Sequence, residues 1–313
     1  MGSCFSSMIG RKLEERKFKV LNNPFGTIFN PVSLLELLHR SLLLQPVEES
    51  LLVAHDQWYY HYSTHSDLSA SEKDRLITII SERQSLTHQA LRSASLIFLT
   101  LGTAYAYELI SGSQIVANCH RQPKEQFKKR LLDLDEMMVG FKGFYNALKL
   151  LNPTAELIVT VSPVRHIKDG IPENQLSKSL LRVLCDRMTE ECPRVSYFPS
   201  YELMMDDLRD YRYYKDDMIH PTAFAENYIW ELFKTTYLSK EAFEAVKKTD
   251  AILNDLQHKP FHPESASHQQ FLQKLLHKME QMDPIFDFSK EISVVTQQLN
   301  SHRKEADHES KSQ

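Results

Sequence analysis

Two short apolar runs constrain this chain most. SLIFLTL at 95–101 ends at Gly102, and ELIVTV at 156–161 is stopped by Ser162-Pro163. Apolar residues run through both instead of alternating, so each reads as a strand buried on both faces. Helical spacing surrounds them. Leu76, Ile77, Ile80, Leu86 and Leu91 recur along 69–93, a long amphipathic helix is predicted over 123–151 before Asn152-Pro153, and another over 173–191. A third short strand is expected at 195–198, ahead of Pro199. Helices alternating with such strands predict an α/β fold with a mostly parallel sheet covered on both faces. Ligands of such sheets bind beyond the carboxyl ends of the strands, so the loops after Leu101, Val161 and Phe198 are expected to share one rim.

Ahead of these lie a short helix at 6–16, a brief strand at 18–21, a turn-rich loop at 22–26, and a helix at 31–44 with Pro31 in its first turn. The character changes near 239. Lys247-Lys248, the KPFHP break at 259–263 and polar helices follow, and 301–313 is nearly free of apolar residues. The expected organisation is an α/β domain over 1–238, a helical extension over 239–300 and a disordered tail over 301–313.

The chain has 313 residues and a formal charge of -4, with no stripe of cations interleaved with aromatics. That argues against nucleic acid as the main partner. Four cysteines without a CxxC pair do not make a disulfide framework and fit a reducing compartment. No apolar run is long enough to cross a bilayer, and the cations at 11–19 follow the start too closely for a signal peptide. The expectation is a cytoplasmic protein.

The sharpest local chemistry is Asp217-Met218-Ile219-His220 before Pro221. In a turn, three-residue spacing lets the carboxylate reach the imidazole, fix its tautomer and stabilise the imidazolium formed when a nucleophile is deprotonated. The bland alternative is a capping Asp beside a surface His. At the other end stands GSCF, with Ser3 and Cys4 as possible nucleophiles.

GSCFSSMIG at 2–10, NPFGTIFNP at 23–31, TLGTAYAYE at 100–108, VANCH at 116–120, TVSPVRHIKDG at 160–170, the EN..LSK stretch at 173–178 and YFPSYEL through DMIHP at 197–221 occur in order. With them, residues 1 to about 238 resemble the GSCFA family, a branch of SGNH-type hydrolase-like proteins. The resemblance implies a three-layer, flavodoxin-like fold and nucleophilic acyl transfer by an ester hydrolase or O-acyltransferase, with an acylated carbohydrate the leading substrate class. It implies His220 as base and Asp217 as its partner. With glycines matched to the superfamily's G-D-S-L box, Cys4 falls on the nucleophile and Ser3 on the acid; Ser3 stays open as the alternative. A thiolate at Cys4 would be favoured by the start of the following helix. Superfamily members carry a strand before this turn, whereas only Met1 precedes Gly2 here, so the turn is expected to lack that anchor.

The resemblance also implies oxyanion donors. Gly26 fits the loop glycine. The usual Gly-x-Asn-Asp is Gly102-Thr103-Ala104-Tyr105 here, without the Asn, and Asn118 is the substitute candidate. His61 and His65, with Trp58 and Ser66, lie in an aromatic, histidine-rich stretch expected to be loop-like and suited to sugar rings or acyl groups. His55, His61 and His65 match no tight metal-ligand pair, so no metal is expected, and no cofactor. Ser162, Arg165 and Asn174 stand on the expected rim. Arg165 suits a substrate carboxylate or phosphate, or else pairs with Asp169. The rival reading is a non-catalytic carbohydrate- or partner-binding protein on the same frame.

Overall fold

The computed structural model describes residues 1–282 and 286–310, with side chains described through 300. The chain forms two compact units, one of Met1–Gly10 with Leu21–Glu231, the other of Arg11–Val20 with Leu232–Gln313. The elements in chain order begin α1 (Cys4–Glu15), α2 (Pro31–Leu42), β1 (Leu52–His55), β2 (Trp58–His61), α3 (Lys73–Ser93) and β3 (Leu96–Leu101). Next come β4 (Tyr105–Leu109), β5 (Ile115–Val116), β6 (Phe127–Leu131), α4 (Leu134–Leu151), β7 (Glu156–Val161), α5 (Ile171–Glu191) and β8 (Val195–Tyr197). They continue with α6 (Ser200–Met205), α7 (Ala223–Tyr237), α8 (Lys240–Leu256), α9 (Ala266–Glu280) and α10 (Ser289–Ser310).

The two apolar runs are paired. β3, β7 and β8 form a parallel sheet in that order, with Leu96 opposite Glu156 and Leu101 opposite Val161. The free edge of β3 takes up the first residues of the chain. The Met1 amine donates to Phe98 O, Thr100 N donates to Met1 O at 2.9 Å, and Ser3 N donates to Thr100 O at 3.1 Å. Three residues thus supply the edge pairing expected to be missing. Gly2 is required there: its φ is +122°, and a Cβ would stand 2.1 Å from Thr100 O.

One sheet face carries Ile97, Leu99, Leu101, Leu157, Val159 and Val161 into a core with Leu35 and Leu38 of α2, Phe141 and Phe144 of α4, and Leu181 and Leu184 of α5. On the other face Phe98 meets Phe5 of α1 at 6.3 Å and Phe198 at 6.5 Å between ring centres. Each fully buried side chain of this kind contributes about 1.5–3 kcal/mol. Burial on both faces is why neither run alternates.

The expectation of a mostly parallel sheet holds for this sheet alone. β1–β2 is an antiparallel hairpin, and β5-β4-β6 is a small antiparallel sheet. The predicted helix over 123–151 is corrected by that second sheet. β6 pairs with β4 along its whole length, and α4 begins only after Asp133. Asp133 accepts from Asp135 N at 2.8 Å and Glu136 N at 3.3 Å, while Glu136 accepts from Asp133 N at 3.2 Å. That capping box fixes the helix start at Leu134, eleven residues beyond Pro123. The stretch at 18–21, expected to be a strand, forms no regular element, and the histidine-rich stretch expected to be a loop holds the β1–β2 hairpin.

In the second unit, Ile252, Leu272, Leu275, Met279, Phe288, Val295 and Leu299 build a core among α8, α9 and α10. Lys17 bonds Glu291 at 2.7 Å and lies 4.9 Å from the Phe288 ring centre. Of the tail expected to be disordered, 301–310 continue α10 as backbone helix, and 311–313 lie outside the described residues. Among the described residues no helix is long and apolar enough to cross a membrane.

Candidate functional site

The edge pairing of Met1–Ser3 hands the chain directly into α1, whose first residue is Cys4. Ser3 is 1% exposed, and its Oγ accepts from Phe5 N at 3.4 Å, so it caps the helix from inside. Cys4 is half-buried and free. Burial pushes its thiol up, offset in part by hydrogen bonds with its own backbone and the Thr27 side chain. The helix start therefore does not make Cys4 a thiolate by itself; desolvation outweighs it.

Asp217 and His220 are joined. Asp217 Oδ2 lies 2.7 Å from His220 Nδ1, while Oδ1 accepts from Ile219 N at 2.8 Å and His220 N at 2.9 Å. These donors hold the carboxyl well below the usual carboxylate range. Met218, at φ +58°, turns the chain, and Lys215 N donates to His220 O at 2.8 Å. The His220 side chain remains 41% exposed. Among the described contacts, neither Ser3 nor Cys4 bonds to it.

The loop after β7 braces this turn. Arg165 donates from its backbone N to Ile219 O at 3.3 Å and from Nη1 to Met218 O at 3.2 Å, and its guanidinium lies 3.9 Å from the Tyr214 ring centre. Asp169, its suggested partner, pairs with Lys129 instead. The His166 ring packs edge-on against Phe29 at 5.0 Å, and the His166 backbone N–H donates to Asn174 Oδ1 at 2.8 Å. Burial and the Lys178 charge push His166 down to about 3, with His220 adding to the effect. Thr27 hydrogen-bonds Cys4, and Phe29 of the same loop packs on His166.

Gly102 and Thr103 both donate their N–H to Phe29 O, at 2.8 and 3.1 Å, so neither N–H is free for an oxyanion. Ser177 holds the same loop, accepting from Ala104 N at 2.7 Å. Lys178, 1% exposed, donates to Gly102 O at 2.7 Å and Ser162 O at 2.8 Å, tying the ends of β3 and β7 together. Burial pushes it down to about 7. Ser162 is fully buried, and its Oγ accepts from Val164 N at 3.3 Å.

Gly26 has φ +75°, and a Cβ there would stand 2.3 Å from His65 Cβ. His65 pairs with Asp67 at 3.0 Å. His61 is buried, bonded to Glu48 O and accepting from Ser63 N, and is pushed down to about 4. Asn118 accepts from His120 N at 2.9 Å and donates to Ser66 Oγ at 3.2 Å. The structure thus gathers Gly26 with His65, and Asn118 with Ser66 and His120, while His61 is tied into the loop beneath. The described residues contain no group of three or more side chains suited to a metal ion.

The model of the GSCFA family matches residues 1–233. The chain belongs to the GSCFA family. A second model, the C-terminal domain of GSCFA domain proteins, matches residues 249–301. No curated protein and no solved structure gives a significant match. In this GSCFA chain, sequence reasoning missed the positions of Thr27, His166, Lys178 and His120. All four lie inside motif stretches, but burial and pairing give no local signal.

Proposed function

We propose that this GSCFA protein is an SGNH-like acyl-transfer enzyme, an ester hydrolase or O-acyltransferase, with Cys4 as nucleophile and His220 as base. The observation that carries the reading is the Asp217–His220 pair. Its carboxylate holds Nδ1–H, which leaves the lone pair on Nε2 of a partly exposed ring. Accessibility favours Cys4 over the buried Ser3. Because burial keeps the thiol protonated, Cys4 needs a base. In the proposed step Cys4 Sγ bonds to the acyl carbon, its proton passes to His220 Nε2, and the ester alkoxide leaves with that proton. Water or an acceptor hydroxyl then takes the acyl group by the same route. The parallel sheet with both faces covered supports a three-layer, flavodoxin-like frame for this chemistry. Gly26 commits its N–H to Asn23 O at 2.8 Å, which leaves Asn118 as the oxyanion candidate, and Arg165 acts by bracing the Asp217 turn.

The second reading, a carbohydrate- or partner-binding protein without catalysis, is favoured by one observation: Gly102 and Thr103 commit their N–H groups to Phe29. Turnover of p-nitrophenyl acetate, with and without sugar acceptors, separates the readings. Hydrolysis lost in Cys4→Ala and His220→Ala supports the enzyme; sugar binding without turnover, unchanged in both variants, supports the binder.

A further inference from the structure

We propose that Ser66 and His120 form a second nucleophile–base pair, independent of Cys4, able to take an acyl group from activated carboxylic esters. His120 Nε2 lies 2.9 Å from His61 O. A carbonyl only accepts, so Nε2 carries the ring proton and Nδ1 offers its lone pair. Nδ1 faces Ser66 Oγ at 3.2 Å. Asn118 Nδ2 donates to the same Oγ at 3.2 Å, so the hydroxyl's own proton is directed at His120. The nucleophile, the base and the group that orients the base are therefore all in contact, with a carbonyl where His220 has a carboxylate.

The surroundings fit the role. Ser66 is exposed, whereas His120 is 3% exposed and stacked on Tyr60 at 4.9 Å. Burial lowers the affinity of His120 for protons, keeping the ring in its base form. His120 and Arg121 also adopt left-handed backbone, at φ +47° and +56°. Such conformations cost on the order of 1 kcal/mol or more each in non-glycine residues. The chain bears that strain where it aims the ring at Ser66.

In the proposed step the Oγ–acyl bond forms as the hydroxyl proton moves to His120 Nδ1. The ester C–O bond breaks, the leaving alkoxide takes that proton, and water later releases the acyl group by the reverse transfer. A carbonyl orients the imidazolium but neutralises it less than a carboxylate does, so reaction is restricted to good leaving groups.

The test uses the full chain carrying Cys4→Ala, treated with an alkyl fluorophosphonate and read by tandem mass spectrometry. The Oγ–P bond forms and fluoride leaves. The expected result is an adduct on Ser66, absent in Ser66→Ala and at least tenfold slower in folded His120→Gln. His120→Gln alters a buried ring, so the Cys4→Ala chain in urea is the second measurement, and labelling must disappear there. No Ser66 adduct on the folded chain, an equal rate in folded His120→Gln, or labelling that survives urea overturns the proposal. Acetylation of Cys4 in Ser66→Ala reports separately on the Cys4 reading.

Discussion

Asp217 Oδ2 stands 2.7 Å from His220 Nδ1, and the same carboxylate is held by two backbone N–H groups of the turn that carries His220. The geometry makes the aspartate an orienting group for the ring. Asp217→Asn is expected to lower p-nitrophenyl acetate turnover on the order of 100-fold, less than at a fully buried triad. The melting temperature at neutral pH should fall only slightly, since both side chains are partly exposed and solvent screens the pair. Steady-state kinetics with a thermal melt check this.

The depressed Asp217 carboxyl has a stability signature. A folded-state value below the unfolded one gives stabilisation that is present above about pH 4, the ordinary carboxylate range, and is lost as pH falls further. Asp217→Asn should therefore lower stability slightly at neutral pH, with the gap to the native chain closing as pH falls below about 4, so that part of the acid arm of the stability curve is flattened. Urea midpoints from pH 2 to 7 measure the difference.

Lys178 predicts the opposite limb. Burial takes it from 10.5 to about 7. Between those values the unfolded chain binds the extra proton, so this group's contribution rises with pH across the window. Lys178→Met removes that rise. It also leaves Gly102 O and Ser162 O without their donor, at about 1–3 kcal/mol apiece. The stability gap between native chain and variant should widen from pH 6 to pH 9; a constant gap contradicts the assignment.

Gly2→Ala meets both a left-handed φ and Thr100 O at 2.1 Å. A loss of at least about 2 kcal/mol is expected from strain and displaced pairing, with Cys4 labelling falling in parallel. Thermal melts and labelling of the variant provide the check.

Much of the parallel sheet was legible because β3 and β7 are apolar on both faces, a pattern few other elements produce. β6 was not. FKKRL at 127–131 has too few apolar residues to separate a half-buried strand from a helix turn, and its pairing with β4 is set by tertiary contact. The Asp217–His220 contact was legible because three-residue spacing in a turn almost enforces it. Lys178 was hidden because only the fold reveals that a lysine in a helix is enclosed by two strand ends. Gly102 and Thr103 misled as donors because Phe29 O, distant in sequence, takes their N–H groups.

The central claim is that Cys4 and His220 act together. The most direct measurement is pre-steady-state acetylation of the full chain by p-nitrophenyl acetate, with the modified residue located by tandem mass spectrometry. The expected product is an acetyl group on Cys4, absent in Cys4→Ala, present in Ser3→Ala, and formed on the order of 100-fold more slowly in a folded His220→Ala chain. No Cys4 adduct on folded protein, or an adduct formed at the same rate without His220, contradicts it.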